Sequence, residues 1–203
     1  MQKRGPYKPG LQRRTEIIEA ARTLFLEEGY HNFSLRKVAK IVGISAGNLQ
    51  HHFASRDELI EEMLNSVISY HIQRLKGENC IDNSAKKYLY NVIKYIVSDL
   101  STRETTLFFP ELWSLANHDK NVDKMMQNMY HSVQELYQEI ALSINPKLTL
   151  GQTKNIALFI VASVEGHTMF LGNQKPYISH AEATLNMVYG SALQLIESGN
   201  IPE

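Results

Sequence analysis

One cysteine, Cys80, stands among 203 residues, so no internal disulfide is available and a lone thiol fits a reducing compartment. Long apolar runs are missing too: the longest, Ile156 to Val164, falls far short of the ~20 residues that span a bilayer. The basic start MQKRGPYKPG is not followed by the apolar segment of a secretory leader. These shortages lead us to expect a soluble, cytoplasmic chain with no membrane partner. Low-complexity tracts and internal repeats are absent, and a 43% hydrophobic, 21% charged composition excludes collagen-like and disordered classes. Nor is there a surplus of charge, because 21 Lys and Arg balance 21 Asp and Glu.

That balance hides an asymmetry. Residues 1–56 hold ten basic side chains (Lys3, Arg4, Lys8, Arg13, Arg14, Arg22, Arg36, Lys37, Lys40, Arg56) against four acids (Glu16, Glu19, Glu27, Glu28), a net charge of +6. The remaining residues carry eleven basic side chains against seventeen acids, a net charge of −6. A small basic module joined to a larger acidic body follows, with the division placed at 1–55 and 56–203.

Apolar residues recur at helical spacing along the chain, and no segment alternates as a half-buried strand does. The expected fold is all-α, with about nine helices. Ile17, Ala20, Ala21, Leu24 and Phe25 share one face of a first helix over 13–28, which Gly29 would close as a left-handed cap. Ser34 caps a second helix ended by Gly43, and Ser45 opens a short third that reaches Phe53. A fourth helix extends to about Leu75, and others are expected at 84–100, 102–118, 121–144, 151–171 and 179–198. Ser or Thr followed three residues later by Glu or Gln, the capping-box spacing, occurs at Ser55/Glu58, Ser101/Glu104, Thr149/Gln152 and Ser179/Glu182. Pro110 is expected to start or kink its helix. Residues 1–12, with Gly5, Pro6, Pro9 and Gly10, read as a disordered basic arm.

The stretch SLRKVAKIVGISAGNLQHHF, Ser34 to Phe53, carries the most information. Two short helices meeting at a sharp turn need a small residue where their axes approach, a glycine in the turn and an apolar anchor on the second helix. Ala39, Gly43 and Leu49 supply these at helix-turn-helix spacing. The outer face of the second helix is short and polar, with Ser45, Ala46, Gly47, Asn48, Gln50, His51 and His52 able to enter a major groove. With EEGYHNF before it and ASRDEL after it, this stretch resembles the TetR family of transcriptional regulators over residues 13–62. One departure is Gln50, where the family usually has an aromatic; a glutamine suits direct reading of adenine.

The resemblance implies an N-terminal three-helix DNA-binding domain, a C-terminal helical ligand-binding and dimerisation domain, a double-stranded DNA operator and an unknown small-molecule effector. It also implies a homodimer whose last two helices pair with their symmetry mates. Arg36, Lys37 and Arg56 are the candidate phosphate contacts, against the plain alternative of a solvated charged face. Lys3, Arg4, Lys8, Arg13 and Arg14 could reach a minor groove or flanking phosphates as an arm, or serve only as a solubilising tail. In the acidic body Phe108, Trp113, Met125, Met126, Met129, Tyr130, Tyr137 and Phe159 are candidate pocket lining, against ordinary core. Two stripes, one around Phe159, Ser163, Gly166, His167 and Phe170 and one around Val188, Ala192 and Leu195, are the candidate dimer face. Glu165, a lone acid in an apolar run, would need a partner there or from a ligand.

No metal ligand set is expected. His51 and His52 are adjacent, so their side chains point about 100° apart, and the other histidines are scattered. A nucleophile with its base, or a Gly-rich phosphate loop, is likewise missing, so neither an enzyme nor a cofactor is expected. The reading is a ligand-responsive regulator, a repressor in the first instance, with an activator or an inducer-independent DNA binder as the alternative.

Overall fold

A computed structural model describes residues 8–77 and 84–202. Lys3, Arg4, Gly5 and Pro6 of the basic arm, the Lys8 side chain, and Cys80 lie outside the described residues. Among those described the fold is all-α: α1 Lys8–Asn32, α2 Leu35–Val42, α3 Ala46–His52, α4 Arg56–Gly77, α5 Ala85–Leu100, α6 Arg103–Ala116, α7 Lys120–Ile144, α8 Leu150–Glu165, α9 Thr168–Leu171 and α10 Ala181–Ser198. A 3₁₀ turn at Ile178–His180 leads into α10.

Several ends differ from the expected ones for identifiable reasons. α1 begins at Lys8, so residues 8–12 are helical rather than part of an arm. Gly29 has φ 71° and ψ 175°, which breaks the helix with an extended ψ instead of the expected left-handed cap. Gly43 does take the left-handed conformation, φ 75° and ψ 31°, and its turn lets the Ile44 N–H reach the Ala39 carbonyl at 3.0 Å. Of the four capping-box spacings, Thr149/Gln152 closes reciprocally, with bonds of 3.0 and 3.2 Å. At Ser55 the hydroxyl accepts from the Glu58 N–H, but the Glu58 carboxylate reaches one residue further to the Ala54 N–H, at 2.7 Å. α6 is capped by Thr102 rather than Ser101, and Glu104 turns instead to Arg22. Ser179 lies in the 3₁₀ turn, and α10 has no side-chain cap. α6 continues through Pro110. The helix expected over 151–171 ends at Glu165 and restarts as α9.

Two apolar clusters hold the molecule together. The first joins α1, α2, α3 and the first half of α4 to Phe108, Phe109, Leu112 and Leu115 of α6 and to Val122 and Met129 of α7. The second joins Leu75 to α5, the second half of α7, α8 and α10. Residues of both clusters, among them Phe109 and Met129 of the first and Leu75 and Leu100 of the second, line a cavity where the two meet.

Candidate functional site

The candidate nucleic-acid surface is built from the core outwards. Leu49 and Phe53 are fully buried, which fixes the roll of α3 and leaves Gly47, Asn48, Gln50 and His51 exposed. Ala46 and His52 are half-buried at the edges of this face. Ser45 is exposed, and its hydroxyl accepts from the Asn48 N–H at 3.1 Å, so it serves as the N-cap of the helix. Asn48 and Gln50 carry side-chain amides, a group whose donor and acceptor match the edge of adenine.

The basic side chains divide into outward and inward groups. Arg36 and Lys40 are exposed. Lys37 is exposed but donates to the Glu28 carboxylate and to the Asn32 carbonyl, an arrangement at the surface that a phosphate could replace at small cost. Arg56 is directed elsewhere: its guanidinium stacks 4.1 Å over the Tyr30 ring and donates to the carbonyls of Phe33 at 3.1 Å and Tyr30 at 2.7 Å. It therefore pins the α1–α2 corner to the start of α4. Arg14 is similarly placed, 4.1 Å over the Phe53 ring and donating to the His52 carbonyl. Arg13 pairs with Glu16 at 2.7 Å.

The family comparison concerns this same module. Residues 17–63 match the profile of the bacterial regulatory proteins, tetR family. The N-terminal module belongs to the TetR family. Over 73 residues the chain is 34% identical to the HTH-type transcriptional repressor KstR2 of Mycobacterium tuberculosis, covering 36% of each chain. Over 51 residues it is 43% identical to the HTH-type transcriptional regulator UidR of Escherichia coli, covering 25% of this chain and 26% of UidR. The chain thus spans about a third or less of the length of these curated relatives. The solved structure of Salmonella enterica GusR superposes with a TM-score of 0.73 over 97% of this chain and all of that one, at 18% identity. Beyond the TetR module the likeness is therefore one of fold.

Behind the TetR module lies a cavity of about 50 Å³, room for a few water molecules. His71, Ile72 and Leu75 of α4, Tyr95, Ile96, Asp99 and Leu100 of α5, Thr105 and Phe109 of α6, Met129, Tyr130 and Val133 of α7, and Glu165 of α8 line it. Asp99 accepts from the Thr105 hydroxyl at 2.6 Å and lies 3.6 Å from His71 Nδ1. Burial, with a smaller contribution from the Asp99 charge, pushes the Glu165 carboxyl up to about 7, although a hydrogen bond from Tyr130 opposes the shift. Burial also raises Tyr95, Tyr130 and Tyr137 above the ordinary phenol range. Tyr130 in turn accepts from Trp113 Nε1 at 2.8 Å.

Of the pocket residues expected from the sequence, Met129 and Tyr130 line this cavity. Phe108 is wholly buried in the first cluster, with Trp113 and Met126 packed against it. Phe159 points the other way and is 40% exposed. His71, Tyr95, Asp99, Thr105 and Phe109 were not anticipated; the available signal was polar side chains interrupting the inward stripes of α4 to α6.

The residues expected at a dimer face divide between core and surface. Val188 and Ala192 are buried within the second cluster, and Glu165 faces the cavity. Ser163, His167 and Leu195 are half-buried, with His167 Nδ1 against the Ser163 carbonyl. Gly166, Phe159 and Phe170 are exposed, and with Leu158, Met169 and Met187 they form the outward apolar face of α8 to α10.

Proposed function

We propose that the chain is a DNA-binding transcriptional regulator, a repressor that binds a palindromic operator as a homodimer and is released by a small-molecule effector. The observation that carries this reading is the exposed, polar α3 face anchored by buried Leu49 on a TetR module. Gln50 and Asn48 read bases; Arg36, Lys37 and Lys40 contact phosphates; Arg56 keeps the module rigid. A dimer sets two such helices into major grooves one helical turn, about 34–36 Å, apart. The action is on DNA in the cytoplasm.

One helix, α6, joins the cavity to α1 of the DNA-binding module. Thr105 and Phe109 of α6 line the cavity, while on the same helix Glu104 pairs with Arg22 and Glu111 accepts from the Tyr30 N–H at 3.4 Å. An effector larger than about 50 Å³ must displace part of the wall. Movement of α6 would pull on α1 at both ends of that contact. The effector then favours a dimer with the wrong spacing, and DNA is released by population shift.

Selection of bound sequences from a random DNA pool with the full chain tests the reading. A palindromic consensus that weakens when a metabolite raises the melting temperature supports it. Recovery of no preferred sequence would sink it.

A further inference from the structure

The cavity is unevenly charged. Asp99 and Glu165 both face it, and among its lining residues there is neither Lys nor Arg. Asp99 is already met by the Thr105 hydroxyl and by His71. Glu165, half-buried, is met by one neutral donor, Tyr130, which is less than a carboxylate drawn this far from water requires. Tyr137, wholly buried close enough to Glu165 for its charge to act on the phenol, has a hydroxyl with no hydrogen-bond partner. Tyr137 does not itself line the cavity, and its open hydroxyl shows that the polar groups near Glu165 are short of partners. The walls around it are rings: Phe109, Tyr95 and Tyr130, with His71 edge-on to Phe109 at 5.5 Å.

We propose that this cavity binds a compact organic cation, an alkylammonium or related amine, whose charged head lies against Glu165 and the faces of Tyr95, Tyr130 and Phe109. The proposal rests on the reading of the cavity as the effector site and names the class of its ligand. Aromatic faces attract cations most strongly where water is excluded. An anionic ligand would meet two carboxylates, and a neutral apolar one would hold Glu165 protonated and gain nothing from its charge. A cavity of about 50 Å³ admits the head, and any tail must part the helices.

A proton is linked to this binding. The groups facing Glu165 are Tyr130 and Tyr137 of α7, Asp99 and Tyr95 of α5 and His71 of α4, with Arg74 of α4 5.5 Å over the Tyr95 ring. In the empty cavity Glu165 is pushed up to about 7. A cation needs it ionised, so ammonium binding releases a proton and tightens as pH rises from 6 to 8.

Hexylammonium, 1-hexanol and hexanoate, with tetramethylammonium as a fourth probe, separate charge from chain length. Titrations follow the emission of Trp113, the chain's one tryptophan, which is hydrogen-bonded to a cavity residue. The expected result at pH 8 is binding of the ammonium ions at least tenfold tighter than the alcohol or the carboxylate. Glu165→Gln should lose at least tenfold for hexylammonium and little for 1-hexanol. Asp99→Asn, if folded, should lose less. Hexanoate binding as tightly as hexylammonium, an unchanged affinity in Glu165→Gln, or no binding of either ammonium ion overturns the proposal. Ammonium ions that bind without loosening a selected operator leave the ligand class standing and overturn effector release. An operator released by hexanoate alone does the reverse.

Discussion

Gln50 and Arg36 are both exposed on the TetR module, yet they should fail differently when removed. Gln50→Ala is expected to cost about 1–3 kcal/mol on the preferred operator and little on other sequences. Arg36→Ala should weaken all sequences alike and lower the salt slope by about one. Fluorescence anisotropy between low and moderate salt reads both. Glu165 makes the opposite kind of prediction, on stability. Its carboxyl rises from 4.5 to about 7 on folding, so burying the charged form costs stability that appears as pH climbs through that window. Glu165→Gln should therefore stabilise the chain by about 1–3 kcal/mol at pH 8 and not at all near pH 4, in urea titrations. An acid that weakens the fold it belongs to is consistent with a binding role. The residues of α3 were legible because the turn glycine and the buried leucine fix which side faces out. Arg56, expected at a phosphate from its charge, also donates to two carbonyls, partners that composition does not record.

Among the elements, α1 and α6 are the pair through which the proposed effector response would pass. Gly29 has a backbone conformation that is essentially reserved for glycine, and a Cβ there would also stand 3.4 Å from the Glu111 carboxylate. Gly29→Ala should cost about 1–3 kcal/mol, seen as a lowered thermal midpoint. Glu104→Gln together with Glu111→Gln should keep most operator affinity while blunting the response to effector, since the cavity wall would then move without pulling α1. Gel-shift titrations with and without a bound ligand measure that loss. Helix positions could be read from the apolar period almost throughout, but the break after Glu165 could not. The period runs on through Gly166 and His167, and the chain turns there while keeping its inward face. The same limit applied to the caps, where spacing alone could not show that Glu104 would prefer an arginine 82 positions away.

For the whole molecule, the proposed homodimer rests on the exposed face of α8 to α10. Leu158 is 56% exposed, Phe159 40% and Met187 71%, a concentration of apolar surface that a second copy of the chain would cover. Phe159→Glu combined with Met187→Glu should shift sedimentation to a monomer and reduce operator affinity at least tenfold, because each half-site would then bind alone. The sequence showed that these helices were apolar on more than one side. Which stripe met the core and which met solvent depended on how α5 and α7 pack, and that took Val188 and Ala192 inside and left Phe159 outside. The charge asymmetry was legible from the start, although Arg14 and Arg56 turn part of the basic surplus inward.

The first apolar cluster bears on modular exchange between regulators. It does not stop where α3 ends; Phe108, Phe109, Leu112 and Leu115 belong to it as fully as Leu24 or Phe53. A chimera cut at residue 55 would strip the DNA-reading head of much of its interior and leave greasy surface on both fragments. The transplantable unit is discontinuous, comprising the first four helices together with α6 and the opening turns of α7. Retargeting this protein to a new operator is better done by resurfacing α3 in place than by swapping heads.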